Sequence, residues 1–181
     1  MNQTDDLDFV HLHVHSEYSL VDGIIRIDEL VEHSKSLGYH SVALTDLTNL
    51  FGLIEFYRSA RKKGIKPIVG SEINIAKDKD SFAAPLVLLA KNKQGYINLT
   101  KLVSKAYVDG QINGEPIVLF SWLEELCEGI IALSGGMDGH IGNSILAGNE
   151  QLSESRVDFF QKVFKDNFFI EIHRTGKENE S

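Results

Sequence analysis

The chain has 181 residues, of which 43% are apolar and 24% are charged, a composition typical of a soluble globular domain. Its 18 Lys and Arg against 26 Asp and Glu give a net charge of −8, which excludes a broad surface for gripping a phosphate backbone. Cys127 is the only cysteine, which excludes an internal disulfide, and no apolar run approaches the roughly 20 residues of a membrane span. We therefore expect a cytoplasmic protein with no membrane partner.

Apolar runs and helical patterns alternate along the chain. Predicted strands cover residues 9–15, 41–46, 66–75, 85–92, 129–136 and 168–174, and predicted helices cover 27–38, 52–64, 94–107, a short stretch around Trp122, and 151–165. Strands that alternate with helices over short connections are typical of a parallel sheet, open or closed into a barrel. The basic segment 58–66 is interpreted as the solvated face and end of the second helix rather than as a nucleic-acid contact.

Three histidines lie two residues apart in the first predicted strand, at His11, His13 and His15. Side chains two apart on a strand point to the same face, so these imidazoles would share one side of a sheet. Two neutral imidazoles can bind one cation, which makes a metal site one interpretation. Chance clustering of the seven histidines is the other, and the spacing alone leaves it open.

Polar residues follow the predicted strands, where α/β folds gather their chemistry. Asp22 lies just after the first strand, Asp46 ends the second, Glu72 lies in the third, and Ser134 to Gly136 end the fifth. This arrangement predicts a site at the carboxyl ends of the strands. Two plainer interpretations stay open, namely that Asp22 and Gly23 form a turn, and that Asp46 caps the following helix.

Five segments together resemble one family. They are FVHLHVHSEYSLVDG, ALTDLTNLFGLIEFY, GIKPIVGSEINI, GYINLTKLVSKAY and GIIALSGG. The chain is similar, from about residue 9 to 176, to the PHP (polymerase and histidinol phosphatase) domain found at the N-terminus of bacterial replicative polymerase alpha subunits. The resemblance implies a distorted β/α barrel of about seven units. We expect residues 1–181 to be such a domain, incomplete at its C-terminal end and without the polymerase palm, fingers and thumb.

Active members of this family hold three metal ions with about nine His, Asp, Glu and Cys ligands. The resemblance places His13, His15, Asp22 and Glu72 at ligand positions, and we expect them to be the remains of a metal site. Three other ligand positions carry Leu47, Pro85 and Gly136, which have no donor atom in the side chain. His173 does not fill the gap in this alignment, because the family's nearby histidine aligns with Thr175.

The resemblance implies a part of the replicative DNA-directed DNA polymerase that acts as a scaffold and docks the proofreading 3′–5′ exonuclease subunit. Other holoenzyme subunits would be further partners, and DNA would be reached through domains outside this chain. We expect no cofactor in the fragment itself beyond a single weakly held Zn²⁺ or Mn²⁺, with Mg²⁺ serving the full polymerase. The alternative is an active metal-dependent phosphoesterase or a built-in proofreading nuclease.

Overall fold

The computed structural model describes residues 9–20 and 22–173, and the chain divides into two compact units. Unit 1 runs to Val69 and unit 2 starts at Gly70. The strand β2, introduced below, contributes its first residues to unit 1 and the rest to unit 2. Thr175, together with the last residue of the predicted strand at 168–174, lies outside the described residues.

Unit 1 consists of two helices packed on a parallel strand pair. Its elements are α1 (Ile27–Ser36), β1 (Ser41–Leu44), α2 (Leu53–Lys63) and the start of β2 (Lys66–Ala76), with β1 and β2 parallel from Ser41 opposite Lys66 to Leu44 opposite Val69. Apolar residues at helical spacing on α1 and α2 form one core with β1, which contains Ile27, Leu30, Val31, Val42, Leu44, Leu53, Phe56, Ala60 and Ile65. Burial of this face, rather than local propensity, stabilises both helices.

The predicted first strand is not a regular strand. Residues 9–16 run beside β1 and accept backbone hydrogen bonds from it, since Ala43 N donates to His11 O and Thr45 N to Val14 O, both at 2.9 Å. The ladder breaks because Val14 N donates at 2.8 Å to the Thr45 hydroxyl instead of a carbonyl. The strand prediction for 9–15 was therefore wrong in pairing, although the segment lies where a strand would.

Unit 2 is built on a mixed sheet in the order β4-β5-β2-β3-β6-β7. Its elements after β2 are β3 (Ala84–Ala90), α3 (Lys93–Asp109), β4 (Gln111–Ile112), β5 (Glu115–Leu119), α4 (Phe120–Leu126), β6 (Ile130–Leu133), α5 (His140–Leu146), α6 (Glu150–Phe164) and β7 (Phe168–Phe169). Side chains from β2, β3, β6 and α3 are fully buried, among them Ile73, Ile75, Leu86, Leu88, Leu99, Leu102 and Ile130. The α/β class predicted from the sequence is confirmed.

The sheet is mixed rather than parallel throughout. Strand β3 runs antiparallel to both β2 and β6, whereas β2 with β5 and β6 with β7 are parallel. Only residues 77–83 connect β2 to β3, which is enough for a hairpin and too short for a crossover helix. The β4–β5 hairpin and α5 were not predicted, although the loop residues Asn113 and Gly114 are a typical hairpin signal and both have a positive φ.

Among the helices in the described part of the chain, none has the length and apolar character needed to cross a bilayer.

Candidate metal centre

In unit 1 the structure brings together His13, His15 and Asp22. The two imidazole rings lie 5.2 Å apart between centroids in an edge-to-face arrangement. Nδ1 of His15 is 3.0 Å from each carboxylate oxygen of Asp22. When Nδ1 carries the proton and donates to Asp22, Nε2 is the nitrogen with the lone pair, which is how carboxylates orient metal-binding histidines.

A short closed loop carries Asp22 back to His15. The backbone N–H of Glu17 donates to Ile25 O at 3.0 Å, which ties the two ends of the loop. Gly23 passes so close to the Ser16 carbonyl that a Cβ there would lie 1.6 Å from the oxygen. Asp22 forms a bend in this segment, and its carboxylate lies against the His15 ring.

Asp46 serves as an internal anchor rather than a helix cap. Its side chain is 2% exposed and accepts from Ser16 N at 2.6 Å, from the Ser16 hydroxyl at 2.9 Å and from the Ser19 hydroxyl at 2.8 Å. Helix α2 begins after Gly52 without any side-chain cap. A buried carboxylate needs several donors, and these come from the residues directly after His15, so Asp46 fixes the segment that carries the histidines.

His11 does not join the other two histidines. Its ring packs against Phe9, 4.8 Å away between centroids, and against Tyr39 at 5.4 Å. His11 thus packs among aromatic rings.

The basic segment at the end of α2 faces the acids of α1. Lys63 Nζ lies 3.0 Å from the Glu32 carboxylate and 3.6 Å from that of Asp28. The hydroxyl of Ser59 and the nearby Lys63 charge hold the pKa of Asp28 below its ordinary value. These contacts agree with the solvated helix face predicted from the sequence.

Unit 2 contains the fourth predicted ligand, Glu72, and two of the three positions whose side chains have no donor atom, Pro85 and Gly136. Glu72 is half-buried in β2 opposite Val87 of β3. Pro85 pairs with Asn74 at the start of β3, and Gly136 lies buried just after β6. The side chains of Leu47, Pro85 and Gly136 carry no donor atom for a metal ion.

A second imidazole–carboxylate pair lies in unit 2, and the sequence did not predict it. Nε2 of His173 is 2.8 Å from Oε1 of Glu171, whose side chain is only 11% exposed. The backbone N–H of Glu171 donates at 2.9 Å to the hydroxyl of Ser134, which joins this segment to the end of β6. The signal in the sequence was Glu-x-His in a terminal strand, set aside because its histidine is two residues out of register with the family.

Gly136 is what makes room for the His173 ring. Its φ is +61°, and a Cβ at this position would lie 2.6 Å from Nδ1 of His173 and 2.7 Å from Cε1. Both distances are shorter than van der Waals contact. The His173 ring thus fills the space into which a side chain at residue 136 would project.

His140 anchors the loop that contains Gly136. It is 5% exposed, and its Nε2 lies 2.8 Å from the carbonyl oxygen of Ile75. Phe120 packs against the ring edge-to-face, 5.2 Å away between centroids. Burial is the largest effect and lowers the pKa of His140, the hydrogen bond to the Ile75 carbonyl opposes it, and the charge of Arg156 adds to the lowering.

The donor chemistry fits a single divalent ion. Imidazole nitrogens and carboxylate oxygens are ligands that Zn²⁺ and Mn²⁺ accept. Where an ion is held, it would supply Lewis acidity.

Known proteins resemble the chain over nearly its whole length. The family model of the PHP domain matches residues 11–175, and the chain therefore belongs to the PHP domain family. DNA polymerase III subunit alpha of Escherichia coli K12 is 46% identical over 95% of the chain, and that of Vibrio cholerae is 43% identical over 97%. The chain spans about 15% of the length of each of these relatives.

A solved structure of an amidohydrolase from Chromobacterium violaceum is also similar, with a TM-score of 0.41 and 18% identity. The match covers 87% of this chain and 50% of that one.

Proposed function

We propose that this chain is a structural, protein-facing domain of a bacterial replicative DNA polymerase. The observation that carries the proposal is its identity of 46% and 43% with two DNA polymerase III alpha subunits over nearly its whole length, while it spans about 15% of theirs. Nucleotidyl transfer, Mg²⁺ and the main DNA contacts would belong to other parts of such a polymerase. A cytoplasmic location is part of the proposal.

The first test is primer extension. The purified chain should add no nucleotide to a primed template with Mg²⁺ above the level of a mock purification. Extension that exceeds this control would contradict the proposal that the chain lacks the polymerase centre.

We further propose that the domain docks the proofreading 3′–5′ exonuclease subunit. The net charge of −8 supports a protein partner over nucleic acid, and Lys63 is compensated by the acids of α1. Size-exclusion chromatography with light scattering should detect a complex between the chain and the exonuclease subunit from the same genome. An unrelated protein of equal charge serves as the control, and equal retention of both would count against docking.

The remaining His and carboxylate set is proposed to be a degenerate metal site, formed by His13, His15, Asp22 and Glu72. The contact of His15 with Asp22 supports a residual site that holds one Zn²⁺ or Mn²⁺ weakly. Leu47, Pro85 and Gly136 argue against hydrolysis at a full cluster. We expect negligible phosphatase and exonuclease activity with Mn²⁺, Zn²⁺ or Mg²⁺.

The competing function is an active phosphoesterase or nuclease, and the His13–His15–Asp22 arrangement is what favours it. Hydrolysis of a phosphodiester substrate is measured for the natural chain and for His13→Ala, with His33→Ala as a control on the exposed face of α1. A robust activity that only His13→Ala abolishes would replace the scaffold proposal by the enzymatic one.

A further inference from the structure

We propose that Glu171 and His173 form a metal-binding pair, with the His173 ring in the space that a side chain at residue 136 would occupy. The inference rests on the proposed function and adds a metal-binding pair outside the family's ligand pattern. It rests on contacts within unit 2.

The first step of the argument is the position of the ring. His173 lies against Gly136 through Nδ1 and Cε1, the atoms nearest to where a Cβ at 136 would be. Nε2, which lies 2.8 Å from Oε1 of Glu171, is the ring nitrogen on the side of the carboxylate, where an ion would bind. A larger residue at position 136 would displace the His173 ring. The glycine that provides no ligand at this position therefore also makes room for an imidazole.

The second step is the carboxylate. Oε1 of Glu171 is 2.8 Å from Nε2 of His173, a separation that suits a hydrogen bond and also two neighbouring ligands of one ion. The Glu171 side chain is largely buried, and its backbone is fixed by the Ser134 hydroxyl. The pair is therefore preorganised, and an ion replaces the shared proton when it binds.

The third step is the chemical class of the ion. One imidazole nitrogen and one carboxylate oxygen are borderline and hard donors, which favours Zn²⁺ or Mn²⁺ over Cu⁺. Two protein donors bind weakly by themselves, so water or further donors complete the coordination.

The test is titration of the metal-free full chain with Zn²⁺ alone, followed by calorimetry and by ¹⁵N resonances of the histidine rings. We expect His173→Ala to weaken Zn²⁺ binding at least about tenfold and Glu171→Gln to weaken it by a smaller factor. Zn²⁺ should also shift the Nε2 resonance of His173 in the natural chain. His33→Ala, which removes an exposed imidazole from α1, should leave the affinity within about twofold.

Circular dichroism and a thermal melt confirm that each variant is folded, and Glu171→Gln keeps the size of the side chain. Equal Zn²⁺ affinity of the natural chain and His173→Ala, or an unshifted His173 resonance, would overturn the inference. An affinity that His13→Ala removes and His173→Ala leaves unchanged would overturn it while leaving the residual site standing. Primer extension and exonuclease docking test the proposed function independently of either result.

Discussion

His15 in unit 1 and His173 in unit 2 are each paired with a carboxylate, but the two pairs are supported differently. The segment after His15 is held by the buried carboxylate of Asp46, which accepts from two serines. The segment of His173 is held by a hydrogen bond to the Ser134 hydroxyl, and the His173 ring packs over Gly136. The first pair was expected from the resemblance, and the second was not.

The largest effect should come from removing the anchor of the first pair. Asp46→Ala leaves the buried N–H of Ser16 and two hydroxyls without their acceptor, and we expect a loss of about 3 kcal/mol in the free energy of unfolding. Urea denaturation measures it. Asp22→Ala, which removes an exposed carboxylate from the same segment, should cost no more than about 0.5 kcal/mol. Similar losses for the two variants would show that Asp46 is not the anchor.

For the second pair, Gly136→Ala tests whether the ring occupies the space above the glycine. The positive φ costs about 1–2 kcal/mol for a residue with a Cβ, and contact with the His173 ring adds to this. In the His173→Ala background the contact is gone, so the penalty of Gly136→Ala should fall by about 1 kcal/mol. Chemical denaturation of the two single variants and the double variant gives this coupling.

Gly148→Ala is the matched control for that cycle. Its φ is +68° and a Cβ there would meet nothing within 4 Å, so it carries the backbone strain without a contact. Its penalty should be the same with and without His173. A coupling for Gly148 as large as that for Gly136 would mean that His173→Ala alters the fold generally.

These two pairs also show what the sequence could and could not predict. His13, His15 and Asp22 were found from spacing and resemblance because they lie close together in the chain and follow a fixed pattern. Asp46 was identified as a polar residue at a strand end, but its hydrogen bonds to Ser16 and Ser19 depend on a non-local turn. His173 was set aside, since register in the alignment cannot show that a glycine 37 residues earlier opens a space for its ring.

The fold was predictable to a similar degree. Helices α1, α2, α3 and α6 were predicted from apolar spacing, with Gly64 ending α2 at a φ of +80°. The direction of β3 was not, because strand periodicity is the same in parallel and antiparallel ladders. The short loop 77–83 was the available signal.

A smaller effect is expected at Asp22, which tests whether the first pair orients an imidazole for a metal. Asp22→Ala should weaken Zn²⁺ binding about tenfold and move the His15 proton from Nδ1 toward Nε2. Ring ¹⁵N shifts of the metal-free chain at about pH 8.5, where an ordinary imidazole is neutral, report the tautomer. Glu17→Gln removes a neighbouring exposed charge and should leave the tautomer unchanged. A His15 tautomer that is the same in Asp22→Ala would contradict the orienting role.

The last prediction concerns how the stability of the fold depends on pH through His140, which anchors the loop that contains Gly136. Burial lowers the pKa of His140, so the unfolded chain, with an ordinary pKa near 6.5, binds the proton more readily than the folded one. By linkage, the stabilising contribution is complete above about pH 6.5 and is lost as the pH falls toward the lower pKa of the folded state. Each unit by which the pKa of His140 is lowered in the folded state corresponds to about 1.4 kcal/mol in the free energy of unfolding.

His140→Gln is the variant that isolates this effect. Its amide can still donate to the Ile75 carbonyl but does not titrate, so the variant should lose less stability than the natural chain between about pH 6.5 and 5. The groups around the ring are Ile75 of β2, Phe82 of the loop between β2 and β3, Phe120 of α4 and Arg156 of α6. Of these only Arg156 is charged, and it keeps its charge between about pH 6.5 and 5. Denaturation at several pH values measures the difference. Parallel curves for the two proteins would show that His140 does not contribute to the acid sensitivity of the fold.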